Sequence, residues 1–495
     1  MFSWVKNIYK NIKDLNFSVD KYKSDSIIQS LPTVAYVNKA KKLINCQKYE
    51  EAENILNKAL AISDQDDLIY KYLGKIYEQS AKFEQAAEYY NKSASLNPQD
   101  KEIWLRLGMC QLNCEKTDDA LISFERANKV TPFNTDVQTG WGMGLMKQKK
   151  YALARDKFLS AIKISKYNFT AILLSAVMEI KLNDYESAEM KLKFLAKVAP
   201  NEGSLYEYAN LKLLKSDYDE AIKYAKKVLE INNKMLPAYF VLGEIYSIKK
   251  NKENTENIFQ KAIYNGLDDA SLHFEWGRAY IRLFEFKKAK EQFLTALEQR
   301  EAYLGPKIGL ALVNAHEKDF TILDELKEKY GENVYIQEAI GLEKLDKGLT
   351  QDAIEMFKKA LRIDPKQTYN YYNIAKAYKI LNDSNKVREF YEKFVRENPD
   401  FLKGLIDYSK WLISISDYAD AQRKLRRAEK LDSNNSEILN LLFFTSYTLV
   451  KNNICEYNIK EAISIAEKAQ ATEKFDYNNE KTELEQILKN IQGSN

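Results

Sequence analysis

The sequence predicts an all-α solenoid built from tandem antiparallel helix pairs, and three observations carry that prediction. A small residue returns at one register twelve times in succession, at Ala40, Gly74, Gly108, Gly142, Ala176, Ala209, Gly243, Gly277, Ala311, Gly341, Ala375 and Ser409, in steps of 34 with one of 33 and one of 30. Glycine (16) and proline (8) are both scarce in 495 residues, and no long β-branched alternating run breaks the pattern, which argues for helix throughout. Proline falls only where a helix tolerates it. Pro98, Pro132, Pro200, Pro365 and Pro399 close units, while Pro32, Pro237 and Pro306 lie before or within a first turn, where the missing N–H is harmless.

Taken in order, residues 1–32 form an N-terminal amphipathic helix and linker. Wound at about 100° per residue, Phe2, Trp4, Val5, Ile8, Tyr9, Ile12 and Leu15 share one face, and Lys6, Lys10 and Lys13 flank it. Two readings follow: a helix that docks on the first repeat and caps the array, or a membrane-surface helix with aromatic anchors and lysines toward anionic lipid. Residues 33–474 are the array, with units starting near 33, 67, 101, 135, 169, 202, 236, 270, 304, 334, 368, 402 and 436.

Within a unit, such as Glu102 to Lys129, neither amphipathic helix can bury its apolar stripe alone, so the pair closes on itself and then on the next pair. Gly74, Gly108, Gly142, Gly243, Gly277 and Gly341 are read as packing contacts where helices approach closely. More small residues follow on the second helix, at Ala120 and Ala127 in the third unit. The unit from Leu304 to Asn333 is four residues short and places Leu323 and Tyr330 where small contacts belong, which predicts altered curvature. The last unit carries Phe443 at the small register and a lengthened turn, KNNICEYN. Residues 475–495 then form a solvating cap helix.

Trp104, Leu107, Gly108, Ala120, Phe124, Ala127 and Pro132 stand at the spacing W-x2-L-G…A-x3-F…A…P. On these residues the chain resembles the tetratricopeptide-repeat family over about thirteen units. The resemblance implies a right-handed superhelix whose first helices line a concave face. It also implies a non-enzymatic scaffold that binds partner proteins or peptide segments, with no cofactor.

At the lining positions of repeats four to seven the chain places Met143, Met146, Leu173, Val177, Ile180, Tyr206, Leu213 and Phe240, an apolar strip suited to an amphipathic helix or extended peptide. Charged flanks lie on either side: Lys71 and Lys75 before it, Arg278, Arg282, Lys376 and Lys379 after it. The alternative is that tight curvature buries part of this strip against neighbouring helices. Two known uses of the fold fail on these residues. The carboxylate clamp of co-chaperones needs Lys/Asn, Asn and Lys/Arg on successive units, where repeats one to three offer Val37 and Lys41, Tyr72, then Glu102 and Arg106. A groove asparagine ladder would need Asn where the chain has Asn38, Tyr72, Arg106, Gly140 and Leu174.

Composition narrows the rest. A formal charge of +4 from 75 basic and 71 acidic residues gives no strong pull toward nucleic acid. Four scattered cysteines, Cys46, Cys110, Cys114 and Cys455, are no disulfide framework, and the default compartment is the reducing cytoplasm, with a peripheral-membrane location as the alternative. Cys110 and Cys114 lack the further ligands a zinc site needs, since His273 and His316 fall in other repeats. GWGMG (140–144) sits inside a predicted helix, which excludes a phosphate loop and predicts a locally soft helix. The Asp pairs in turns fit helix starts, RKLRR (423–427) fits a solvated outer face, and no region outside the repeats is large enough for a catalytic domain. A membrane-associated assembly or secretion factor, recruited through the N-terminal helix, is the second function these residues admit.

Overall fold

The computed structural model describes residues 32–452, 456–472 and 476–492. Among them every regular element is helical. Thirteen successive helix pairs run from Pro32–Asn45 with Tyr49–Leu60 to Ser436–Asn452 with Glu456–Gln470, and the single helix Asn478–Gln492 follows. Phe2, Trp4, Ile8 and Ile12, with the helix expected around them, lie outside the described residues, as does Cys455. Where the register reads as one array, contacts gather the chain into two compact units, Met1–Val241 and Leu242–Asn495, with the boundary inside the helix Leu236–Ile248.

The turn within a pair is made the same way almost everywhere. Its second-last residue takes a left-handed conformation, at φ +58 for Ala81, +61 for Lys149 and +63 for Phe284, and only Gly348 uses a glycine for it. The N–H groups around it then close the helix end: Ala81 donates to the Glu78 carbonyl at 3.0 Å and Lys82 to the Tyr77 carbonyl at 2.9 Å. Carbonyls that would otherwise be orphaned at the C-terminus are thereby satisfied.

The recurring glycines show why a helix interior accepts them. A β-carbon on Gly74 would lie 2.7 Å from the Tyr90 ring, on Gly108 2.8 Å from Phe124, on Gly142 2.5 Å from Phe158, on Gly243 2.4 Å from Phe259, on Gly277 2.4 Å from Phe293 and on Gly341 2.5 Å from Phe357. Each ring comes from the second helix of the same pair, sixteen residues on. Where the register holds Ala40, Ala176 or Ser409 instead, the residue sixteen on is Leu56, Leu192 or Leu425, each fully buried. Glycine and ring are therefore two halves of one contact, and alanine or serine goes with leucine. Three registers depart from this rule: Ala209 is followed by the buried Ala225, Ala311 by Lys327 in the shortened ninth repeat, and Ala375 by Tyr391, which is stacked 5.0 Å from Tyr408.

Some rings are gripped twice. Phe124 lies between Gly108 and Gly140 of the next repeat, 2.7 Å from where a Gly140 β-carbon would be, and Phe293 lies between Gly277 and Gly309. GWGMG takes its meaning from the same contacts. Gly140 receives Phe124, Gly142 receives Phe158, and a β-carbon on Gly144 would stand 2.8 Å from Leu121. The helix expected to be soft is covered at all three glycines, inside the continuous helix Thr135–Lys147.

The short ninth repeat changes the second unit. Its second helix is only Thr321–Tyr330, with Leu323 fully buried at the small register. Leu304–His316 accordingly packs straight onto Val334–Asp346, first helix against first helix. At the other end, Phe443 meets Tyr477 with ring centroids 4.3 Å apart. The helix Asn478–Gln492 buries Leu484 and sets Ile487 and Leu488 on the core, leaving its other face to solvent.

Candidate functional site

The lining strip of the first unit rests on the first helices Thr135–Lys147, Phe169–Lys181 and Glu202–Leu214, and on the opening residues of Leu236–Ile248. Asparagine sets the first three entry points. Asn134 accepts from the N–H of Asp136 at 2.8 Å, Asn168 from that of Ala171 at 2.9 Å, and Asn201 forms a capping box with Ser204. Asn168 also donates to the Thr135 hydroxyl at 2.9 Å, tying neighbouring helix starts together.

Within the strip, the eight apolar residues separate into floor and edge. Met143 (3% exposed), Leu173 (5%), Val177 (7%), Ile180 (8%) and Leu213 (6%) are buried by neighbouring helices, so curvature turns most of the strip into packing. Met146, Tyr206 and Phe240 remain half-buried.

Two carboxylates on these first helices escape the repeat pattern. Glu207 is 4% exposed, and burial pushes its carboxyl up to about 7, opposed by Lys181 and a hydrogen bond to Asn210. Burial also holds the half-buried Asp136 above the usual carboxylate range, with no other cause acting on it. Burial and the neighbouring Glu207 raise the Tyr206 phenol as well. The one signal in the sequence is an acid among apolar neighbours in SLYEYAN (204–210). An underpaired buried carboxylate favours a cationic neighbour.

The charged flanks are largely spent on internal pairs. Lys71 contacts Asp100 at 2.9 Å and Glu102 at 3.0 Å; burial pulls its amine down, but the two carboxylates hold it above its ordinary value. Arg106 reaches Glu78 at 3.0 Å, and Arg106 with Lys71 keeps Glu102 down at about 2 against the effect of burial. Lys75 stands beside them with its amine lowered, by burial first and by Arg106 next. In the second unit Arg278 pairs with Glu275 at 2.8 Å, and Arg282, 5% exposed, lies 3.5 Å from Glu244.

The lining face of the second unit is occupied from within. Phe284, from the turn of the eighth repeat, places its ring 4.9 Å from Tyr369 and 4.8 Å from Phe401, while Phe286 stacks on His316 at 4.0 Å. The Lys250 amine lies 3.9 Å from the Phe284 ring centroid and donates to the Arg282 carbonyl. Burial, then Arg282, bring that amine down to about 7. A bulky residue in the left-handed region persists only where its surroundings over-determine it. This cluster does so for Phe284.

Other candidates have plain surroundings. Cys110 is buried, which drives its thiol up, and Cys114 is half-buried. His273 is held by Gln292 at 2.7 Å and Asp268 at 2.9 Å. In RKLRR, Arg426 pairs with Glu429 at 2.7 Å, and Arg423 with Asp420 at 3.0 Å. Among the described residues no group of His, Cys, Asp and Glu has metal-site geometry, and no helix is long and apolar enough to cross a membrane.

Comparison with known proteins agrees with the helix pairs. Tetratricopeptide-repeat family models match residues 67–110 and, separately, 34–66, 203–235, 236–265, 335–367 and 369–401. Over 92% of its length the chain superposes on 96% of a chain in the crystal structure of the APC/C hetero-tetramer Cut9–Hcn1, with a TM-score of 0.53 at 12% identity, a likeness of fold alone. The chain is a tetratricopeptide-repeat protein, and that fold supports a protein-interaction scaffold role.

Among curated proteins it is similar to the Homo sapiens protein O-mannosyl-transferase TMTC3, 25% identical over 53% of this chain and 30% of that protein. It is likewise similar to the Arabidopsis thaliana Hsp70-Hsp90 organizing protein 2, 25% identical over 45% of this chain and 34% of that one. It spans about a third of the length of these relatives.

Proposed function

We propose that the chain is a non-enzymatic scaffold that captures peptide segments of partner proteins along the lining strip of its first unit. The observation that carries this reading is the edge of Met146, Tyr206 and Phe240, half-buried above the packed floor of Leu173, Val177 and Ile180. An apolar edge on a rigid floor offers anchor sites at low ordering cost, and Met146 adapts to varied side chains. The second unit supports the same assignment by contrast, since Phe284 and Phe286 already cover its lining residue Tyr369, which is 9% exposed. With Glu207 and Asp136 at the strip, the favoured segments are apolar and cationic.

The test is fluorescence titration with labelled peptides of about fourteen residues, apolar throughout and differing only in carrying lysines, glutamates or neither. The lysine-bearing set should bind tightest. Met146→Glu with Phe240→Ser, both at half-buried positions where the fold tolerates polarity, should weaken it at least about tenfold, or 1.4 kcal/mol. Saturation by none of the three sets would overturn the reading.

A further inference from the structure

We propose that the strip of the first unit is the docking site of the chain's own N-terminal segment, residues 2–15, so that a partner must displace it. This rests on the peptide-capture reading above and names the first occupant of that site. The segment, FSWVKNIYKNIKDL, has the chemistry the strip asks for: Phe2, Trp4, Ile8 and Ile12 for the apolar edge, and three lysines against one aspartate for Glu207 and Asp136. Neither carboxylate has an ion-pair partner among the described residues; Lys181 and Asn210 act on Glu207, and nothing offsets burial at Asp136.

The obvious alternative seat is poor. On the first helix of repeat one, Ala35, Asn38, Lys39, Lys41 and Lys42 are exposed, while Val37, Ala40 and Ile44 already face the interior. Val34, Tyr36 and Leu43 are half-buried there, but Lys39, Lys41 and Lys42 repel the three lysines of the segment. The reach is sufficient as well. Residues 18–31 span at most about 46 Å when extended. Neighbouring first helices touch from repeat one to two and from repeat three to four, so repeat one and repeat four are separated by about three helix diameters of about 10–12 Å each. The segment wound as a helix would add about 21 Å along the strip.

Full-length chains test this. The probe is a fluorescein-labelled peptide of residues 2–15, titrated into the wild-type chain, the Trp4→Glu/Ile8→Glu chain, and that chain with Met146→Glu/Phe240→Ser added. The released chain should bind the probe at least tenfold tighter than wild type, and the groove substitutions should remove that gain. Glu207→Gln, which leaves the apolar edge in place, should weaken the probe about threefold and serves if the groove variant folds poorly. Equal affinity for wild-type and released chains overturns the proposal, as does binding that ignores both groove variants.

Flotation with phosphatidylserine-containing vesicles runs in parallel. Trp4-dependent flotation without probe binding assigns the segment to lipid and also overturns it. If lysine-bearing peptides of other sequence bind the strip while this probe does not, the proposal falls and peptide capture stands. If none binds, both fall.

Discussion

Gly277→Ala should destabilise the second unit even though alanine is the better helix former by about 1 kcal/mol. The new β-carbon would lie 2.4 Å from Cε1 and 2.6 Å from Cδ1 of Phe293, too close for any real contact. The ring cannot retreat, because Gly309 presses it from the next repeat, at 2.5 Å from its own notional β-carbon. Overpacking a closed site costs about 1–3 kcal/mol, and a ring held between two backbones belongs at the upper end. A net loss of about 2 kcal/mol is expected in thermal or urea unfolding.

The control is a size exchange. Phe293→Leu alone leaves a cavity, yet Gly277→Ala with Phe293→Leu reproduces the pairing of Ala40 with Leu56 and Ala176 with Leu192 elsewhere in the chain. The double variant should therefore be more stable than the sum of the single losses predicts, with a coupling of about 1 kcal/mol or more. Strict additivity would show that ring and glycine are not one contact. Gly142→Ala should cost less, since the ring it meets, Phe158, is not gripped by a second glycine as Phe293 is.

The pairing of glycine with ring is legible in the sequence, though only when two registers are read together. Column by column, Gly108 is a small residue and Phe124 a large one; jointly, glycine goes with an aromatic ring sixteen residues on, while Ala40, Ala176 and Ser409 go with leucine. Helix pairs are visible because their cause is periodic. What stays hidden has causes outside the period. The contact of Phe284 with Tyr369 and Phe401 joins residues far apart in sequence, and no 34-residue comparison aligns them. It accompanies a shortened second helix in repeat nine, a deletion plain in the register whose three-dimensional result is not. Burial of Leu173 and Ile180 likewise depends on how closely neighbouring first helices stack, so the strip divides into floor and edge only in three dimensions. Glu207 escapes notice for a related reason, because charge at a lining position reads as solvated until its burial is known.

Glu207→Gln should stabilise the first unit at pH 8 and leave it unchanged near pH 4. The folded carboxyl titrates at about 7, against about 4.5 for the ordinary group. For a group raised in the folded state, the favourable contribution is whole below the unfolded pKa and is lost as pH climbs through the folded one. The unit therefore loses stability between about pH 4.5 and 7, up to about 3 kcal/mol at 1.4 kcal/mol per unit. Glutamine cannot ionise, so it keeps the hydrogen-bonded neutral form across that range. Melting curves at pH 4, 6 and 8 should diverge progressively, by several degrees at pH 8. A constant offset at all three would assign the effect to packing instead.

The same curve reports on the docked segment. A lysine seated near Glu207 would pull its carboxyl back down and shrink the pH-dependent gain. The glutamine substitution should consequently help the Trp4→Glu/Ile8→Glu chain more than the wild-type chain at pH 8. Identical gains in the two backgrounds would place no lysine of residues 2–15 beside Glu207.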